Sequence, residues 1–247
     1  AASVAFNDDD YDIVPLIAHT SYRFARAVVV TEWTRMGPYE PKAIRHRAFK
    51  ELYYLHPARF QADAAVVRSY GLEPDHYVLA RLSALTAHHD RGISGLSPDT
   101  VTKLAGRLPA DVGLRVSAEG PLHPSLEPYR LRAKVTDVHH LLAHARLVVS
   151  DSQTMTSEAA VLGTPSVRVS SFMGRIASVN ALEGYGLSYG VRPGDGAELI
   201  RFVSALLDRQ DLTEAHRDRR LAMLRDTVDP VPLMAGVIRA QLGLGAP

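Results

Sequence analysis

The segment Asp151-Ser-Gln-Thr-Met-Thr-Ser-Glu158 gathers hydroxyls, an amide and two carboxylates directly behind an apolar run, Leu147-Val-Val-Ser150. A strand that turned into a helix near Thr154 would present the unpaired N–H groups of a first helical turn. Those groups and the positive end of the helix dipole favour a phosphate. Ser152 and Thr154 would add hydroxyl donors. Glu158, four residues beyond Thr154 and on about the same helix face, could accept both hydroxyls of a ribose. The same residues also read as an ordinary helix cap, with Asp151 or Ser152 on the orphan N–H groups and Glu158 in solvent.

Further constellations carry chemistry of their own. In Arg81-Leu-Ser-Ala-Leu-Thr-Ala-His-His-Asp-Arg-Gly92, Arg81 or Arg91 could neutralise phosphate, and His88 or His89 could act as acid or base near neutral pH. The alternative is a solvated polar loop. Phe6-Asn-Asp-Asp-Asp10 follows a short strand pattern, so its carboxylates are a catalytic base, metal ligands or only a loop. Ser117-Ala-Glu-Gly-Pro121 is a turn, or a ligand contact through Glu119 and Gly120. His140 and His144 share a helix face, as a zinc pair would, but no Glu follows His140 and no third ligand suggests itself. Surface or cleft-edge histidines are the favoured reading, with no metal and no cofactor expected.

These residues need strands and helices to hold them. Buried strands are expected at 27–30, 76–82, 114–118, 147–150 and 166–169, and an unpreceded one at 3–6. Helices are expected at 98–108 behind Ser97 or Asp99, at 137–145, and from Thr154 to Leu162 with Gly163 as the stop. A charged helix is expected over 42–52, and three more over 196–208, 213–225 and 231–242. Strands alternating with helices of about ten residues imply right-handed βαβ units and a doubly wound parallel sheet over about 75–210. In such a sheet ligands sit at the carboxyl ends of the strands, where most of the residues above fall.

Composition narrows the class. The 247 residues are 46% hydrophobic, enough for a sizeable core, and the formal net charge of +1 offers no global attraction for nucleic acid or a membrane surface. Nearly all the cations are Arg; the lysines are Lys42, Lys50, Lys103 and Lys134. Cysteine is absent, which excludes disulfides and thiolate metal sites. With no apolar run of about 20 residues and no signal-like start, a soluble cytoplasmic protein is expected.

The stretch Asp151 to Pro165 resembles the nucleotide-binding motif of the non-hydrolysing UDP-N-acetylglucosamine 2-epimerases and the wider GT-B glycosyltransferase superfamily. There the motif reads Asp-Ser-Gly-Gly, two residues, Glu-Glu-Ala, then Leu-Gly-x-Pro. This chain matches at Asp151, Ser152, Glu158, Ala159, Leu162, Gly163 and Pro165, and differs at Gln153, Thr154 and Ser157. Taken whole, the chain is similar to an uncharacterised bacterial and archaeal family related to those epimerases. The pattern it shares is Tyr54-Leu-His-Pro57, Ala87-His-His-Asp90, Ser117-Ala-Glu-Gly120, Asp137-Val-His-His140 and Asp151-Ser-Gln-Thr154.

The resemblance implies a GT-B type α/β fold with a Rossmann-like nucleotide-binding C-terminal domain over 58–247. Residues 1–57 would be an incomplete N-terminal Rossmann-like domain, as in a truncated chain with apolar surface exposed near 3–6 and 27–30. It further implies that Ser152, Gln153 and Thr154 contact phosphate and that Glu158 holds the ribose. Glu119 and Gly120 would approach the base or sugar, His139 would approach a uracil ring, and Asp8 or Asp9 would act as base. The implied partners are a UDP-sugar and a glycan or lipid-linked acceptor, and a homodimer is admitted. The implied activity is metal-independent sugar transfer in polysaccharide biosynthesis, with epimerisation or a non-catalytic nucleotide-binding half as the alternatives.

Overall fold

A computed structural model describes residues 3–83, 95–171, 173–194, 196–241 and 243. In chain order its elements begin with β1 (Val4–Phe6), α1 (Pro15–Ile17), β2 (Ala27–Thr31), β3 (Ala43–His46), α2 (Leu52–Leu55), α3 (Ala64–Ser69), β4 (Tyr77–Leu82), α4 (Pro98–Ala105) and β5 (Gly113–Ala118). They continue with α5 (Val138–Ala143), β6 (Leu147–Ser150), α6 (Gln153–Leu162), β7 (Ser166–Val169), α7 (Ala177–Gly184), β8 (Ser188–Val191), α8 (Ala197–Leu207), α9 (Leu212–Asp226) and α10 (Pro230–Gln241). Two compact units result. One comprises Ala1–Phe60, Gly174–Ala181 and Ala222–Pro247; the other comprises Gln61–Met173 and Leu182–Leu221.

In the first unit β1, β2 and β3 form a parallel sheet in that order, with Phe6 opposite Val29 and Thr31 opposite His46. β2 is Ala-Val-Val-Val-Thr, β-branched along most of its length and buried at every position, as a central parallel strand must be. Val28 and Val30 pack with Tyr22 and Met36 in the core beneath it. Two expectations fail here for one reason. Residues 43–46 are a strand and not part of a helix, and their pairing with β2 helps bury the apolar surface near 27–30 that was expected to lie exposed. The charges that suggested a solvated helix face are staples. Nη1 of Arg45 donates to the carbonyls of Thr31, Glu32 and Thr34 at 3.0 Å each, and its other nitrogens hold Glu40 at 2.9 and 2.7 Å. At the outer strand, Phe6 is 38% exposed.

The acidic run after β1 divides its labour. Asp10 is fully buried and accepts from Arg35 N at 2.7 Å and Ala177 N at 2.9 Å, with the Arg35 guanidinium 3.1 Å away. A buried carboxylate is tolerated only with such partners. Replacing Asp10 by Ala should cost about 2–4 kcal/mol in a denaturant titration, because it strips the charge and orphans those donors.

In the second unit five parallel strands take the order β5-β4-β6-β7-β8. Val78, Ala80, Val116, Val149 and Val167 point to a common core closed by Val101, Leu104, Val203 and Leu207 from α4 and α8. Gly163 ends α6 at φ 87°, the left-handed conformation that suits glycine. β8 and α7 lack a counterpart among the expected elements. Ser188-Tyr-Gly-Val carries little alternation, and Gly190 lies under the ends of the Met173 and Glu183 side chains.

His216 on α9 is fully buried, with Nδ1 2.8 Å from the Leu212 carbonyl and Nε2 3.2 Å from the Tyr189 hydroxyl. Burial first of all pushes its pKa down from 6.5 to about 4. A depressed pKa means the folded state resists a proton that the unfolded state accepts. Stability is thus fully present above pH 6.5 and is lost as the pH falls through that value towards about 4. Unfolding free energies measured across that window should decline less steeply for His216→Gln than for the native chain.

Candidate functional site

The strand order places a topological switch point between β4 and β6, the two neighbours whose onward connections diverge to opposite sides of the sheet. Ligands of open parallel sheets bind in the crevice outside such strand ends. At this one β4 is followed by Ser83, and β6 by Asp151 and Ser152.

Their roles are distinct. Ser152 is the N-cap of α6, its hydroxyl accepting from Met155 N at 3.4 Å, and its own N–H donates to Ser150 Oγ at 2.9 Å. The backbone N–H groups of Gln153 and Thr154 precede the first helical bond and have no partner one turn back. Thr154 is exposed. Asp151 does not cap the helix. Its Oδ1 accepts from Ser83 N at 2.7 Å and Ser83 Oγ at 2.9 Å, and its Oδ2 accepts from Leu96 N at 3.1 Å. Gly95 passes so close that a Cβ there would sit 2.2 Å from Oδ2. One carboxylate therefore draws residues on both sides of 84–94 against the start of α6. His88, His89 and Arg91 lie outside the described residues.

Glu158 is not a solvated surface group: its side chain is 9% exposed, and Oε1 meets His139 Nε2 at 3.2 Å. α5 and α6 pack together, which joins two residues the sequence reading had assigned to different parts of a ligand. Arg81 closes β4 with its guanidinium turned to β5, Nη1 on Ser117 Oγ at 2.7 Å and Nη2 on Glu119 at 3.2 Å. Its Nε is buried without a partner among the described residues. The expected clamp of Arg81 on a phosphate would thus compete with Glu119. Gly120 has open space around its Cα. His140 is occupied through Nδ1, which accepts from Asp63 N at 3.0 Å, and burial lowers the pKa of His144.

Asp8, in the first unit, is held by Lys50 at 3.0 Å, whereas Asp9 donates its N–H to Asn7 Oδ1 at 3.3 Å. Sequence reasoning passed over Ser83 and Gly95 beside Asp151, Lys50 as the partner of Asp8, and His46 with Tyr53 as a pair at 3.3 Å. Ser83 was detectable as the first residue past a strand. His46 was hidden by the helix expected over 42–52.

Within the second unit, Asp151→Ala should lower the unfolding free energy by about 2–4 kcal/mol, since three donors lose their acceptor. Asp151→Asn should cost less, because an amide oxygen can still accept from Ser83. Gly95→Ala should be destabilising by itself and less so on top of Asp151→Ala, which removes the 2.2 Å contact with Oδ2 but keeps the one with Cβ at 3.0 Å, a non-additivity that a double-mutant cycle in denaturant would read.

No family model matches the chain, and no curated protein matches it in sequence. Solved structures do resemble it. CalG4, the calicheamicin glycosyltransferase, aligns with a TM-score of 0.53 at 18% identity, over 96% of this chain and 59% of its own. MnaA of S. aureus, solved with UDP, aligns with a TM-score of 0.60 at 12% identity, over 91% of this chain and 63% of its own. A Listeria monocytogenes protein named for UDP-N-acetylglucosamine 2-epimerase activity aligns with a TM-score of 0.57 at 12% identity, over 99% and 74%. The chain thus spans about three fifths to three quarters of the length of these proteins. Among the described residues no helix is long and apolar enough to cross a membrane. Two parallel sheets of three and five strands, aligned with these structures, give this chain the GT-B type α/β fold common to glycosyltransferases and UDP-N-acetylglucosamine 2-epimerases.

Proposed function

We propose that the second unit binds the nucleotide of a nucleotide-sugar, UDP-linked by preference, at the carboxyl ends of β4 and β6, and that the whole protein transfers the sugar. The observation that carries this reading is the Asp151 bridge. It assembles the end of β4, residues 95–96 and the start of α6 at the switch point while Thr154 stays exposed.

A diphosphate would sit on the N–H groups and hydroxyls of Ser152, Gln153 and Thr154. There the helix dipole supplies the positive potential that a metal ion supplies in other nucleotide sites. Glu158 would meet the ribose at the exposed edge of its carboxylate, with His139 fixing its orientation, and Glu119 with Gly120 would border the base or sugar. UDP in the structurally similar MnaA supports the choice of nucleotide. The likeness to CalG4 supports transfer, and that to the Listeria protein supports epimerisation as the second reading. The acceptor would be a glycan or a lipid-linked sugar.

Calorimetric titration of the chain with UDP, GDP and UDP-N-acetylglucosamine tests the reading. UDP should bind, GDP more weakly, and Glu158→Ala should weaken UDP about tenfold, roughly 1.4 kcal/mol. No binding of any nucleotide, or an unchanged affinity in the variant, overturns it. Product analysis separates the two chemistries. Transfer yields free UDP and a glycosylated acceptor, whereas epimerisation inverts one stereocentre with no acceptor present.

A further inference from the structure

The first unit presents an apolar face that its own core does not use. Pro15 to Tyr22 form one continuous helical segment, from which Ala18 and Tyr22 turn inward and are buried, as is Ala25 just beyond it. The Tyr22 ring meets Tyr39 edge-on, and Nζ of Lys42 donates to the carbonyls of Tyr22, Arg23 and Ala25 at the end of the segment. The segment is thus held firmly, and its other side faces outward. That side carries Leu16 at 70%, Ile17 at 49% and Phe24 at 75% exposure. At roughly 100° per residue, Leu16, Thr20, Phe24 and Ile17 fall within about 100° of one another, a single stripe. One exposed apolar side chain is ordinary; three on one stripe of an anchored segment mark a surface with a partner.

The charges around the stripe have one sign. From Ile13 to Thr31 the sequence contains no carboxylate, whereas it contains Arg23 and Arg26, both exposed. The acidic residues that bracket this stretch are already held, Asp12 by Arg35 at 3.2 Å and Glu32 by Arg47 at 3.1 Å. Neither Arg23 nor Arg26 has a carboxylate partner among the described residues, and the Arg23 guanidinium lies 5.9 Å from the centre of the Phe24 ring. A net charge of +1 over the whole chain attracts nothing, but two unpaired cations beside an apolar stripe attract locally.

These features decide between occupants. A second copy laid on the same face about a two-fold axis would set Arg23 and Arg26 against their own likenesses. A specific protein partner needs about 800 Å² of complementary surface on each side. The segment has three residues in α1 and five beyond it, and these eight extend only about 12 Å at 1.5 Å each. A lipid interface requires no shape complementarity. It takes apolar groups at the acyl boundary, an aromatic ring at headgroup level and cations beside anionic phosphates, which is the composition found here.

We propose that this face docks the protein on an anionic lipid surface, with Leu16, Ile17 and Phe24 entering the headgroup boundary and Arg23 and Arg26 meeting the lipid phosphates. The contact belongs to the first unit alone and requires no nucleotide, so its test is separate from that of the second unit.

The full chain is sedimented with vesicles of phosphatidylcholine alone, and with vesicles of phosphatidylcholine and phosphatidylglycerol in equal parts. It should travel with the anionic vesicles, stay in solution beside the neutral ones, and be released as salt is raised. Phe24→Ser or Leu16→Ser should weaken the association about tenfold, and Arg23→Gln or Arg26→Gln about fivefold each. Phe24→Leu, which keeps an apolar body, should bind nearly as the native chain does. Phe24→Trp reads the contact directly. Against the baseline of Trp33, the single native tryptophan, its emission should shift to the blue on anionic vesicles only. That substitution removes no apolar surface, so the result stands even where a serine variant fails to fold. Binding to neither kind of vesicle, equal binding to both, binding that the serine variants leave unchanged, or self-association without lipid that Phe24→Ser abolishes overturns the proposal.

Discussion

A parallel strand can rejoin its sheet only by a crossover over one face, so all carboxyl ends of such a sheet gather at a single edge. In this chain that constraint operates twice, in a sheet of three strands and a sheet of five. At the second edge it creates a problem as well as a crevice. The polypeptide leaving β4 and the one leaving β6 depart from adjacent strands, and their backbone donors need acceptors. The carboxylate of Asp151 supplies them, taking Ser83 with one oxygen and Leu96 with the other. The close passage of Gly95 follows from that arrangement, while the helix start is left to Ser152.

The buried polar groups follow a common rule in both units. Asp10 satisfies two backbone donors and a guanidinium in the first; Glu158 meets His139 in the second. In each case a residue whose type suggested reactivity is first of all a structural partner. Asp10 shows this most plainly, since it stands two residues from Asp8 in one acidic run and yet ties together segments more than 160 residues apart in sequence. Lys42 serves structure as well, its ammonium group donating to the carbonyls of Tyr22, Arg23 and Ala25 at 2.8–2.9 Å.

Legibility in the sequence tracked the strength of local pattern. Leu147-Val-Val-Ser followed by a polar turn and a helix ending in Gly163 was readable because burial, capping and glycine all agree there. Ser97 as the cap of α4 was readable for the same reason. β3 was not, because Arg45 and His46 look like a helix's wet face until the carbonyls past β2 that Arg45 holds are known. β8 was not, because Ser188-Tyr-Gly-Val is short and its burial, inward at both ends and partial between, follows no alternation. The pairings of Arg81 with Glu119, Glu158 with His139 and Asp8 with Lys50 were equally invisible. Each joins elements far apart in the chain, so residue types were legible where partnerships were not.

The bridge at Asp151 has a consequence for how such a protein can change. The carboxylate accepts from Ser83 with one oxygen and from Leu96 with the other, and it leaves no room for a Cβ at Gly95. A side chain added at 95 collides with the acceptor at 151, and removing that acceptor orphans the donors of Ser83 and Leu96. The aspartate and the glycine therefore hold each other in place, and a lineage that altered one would have to answer for the other.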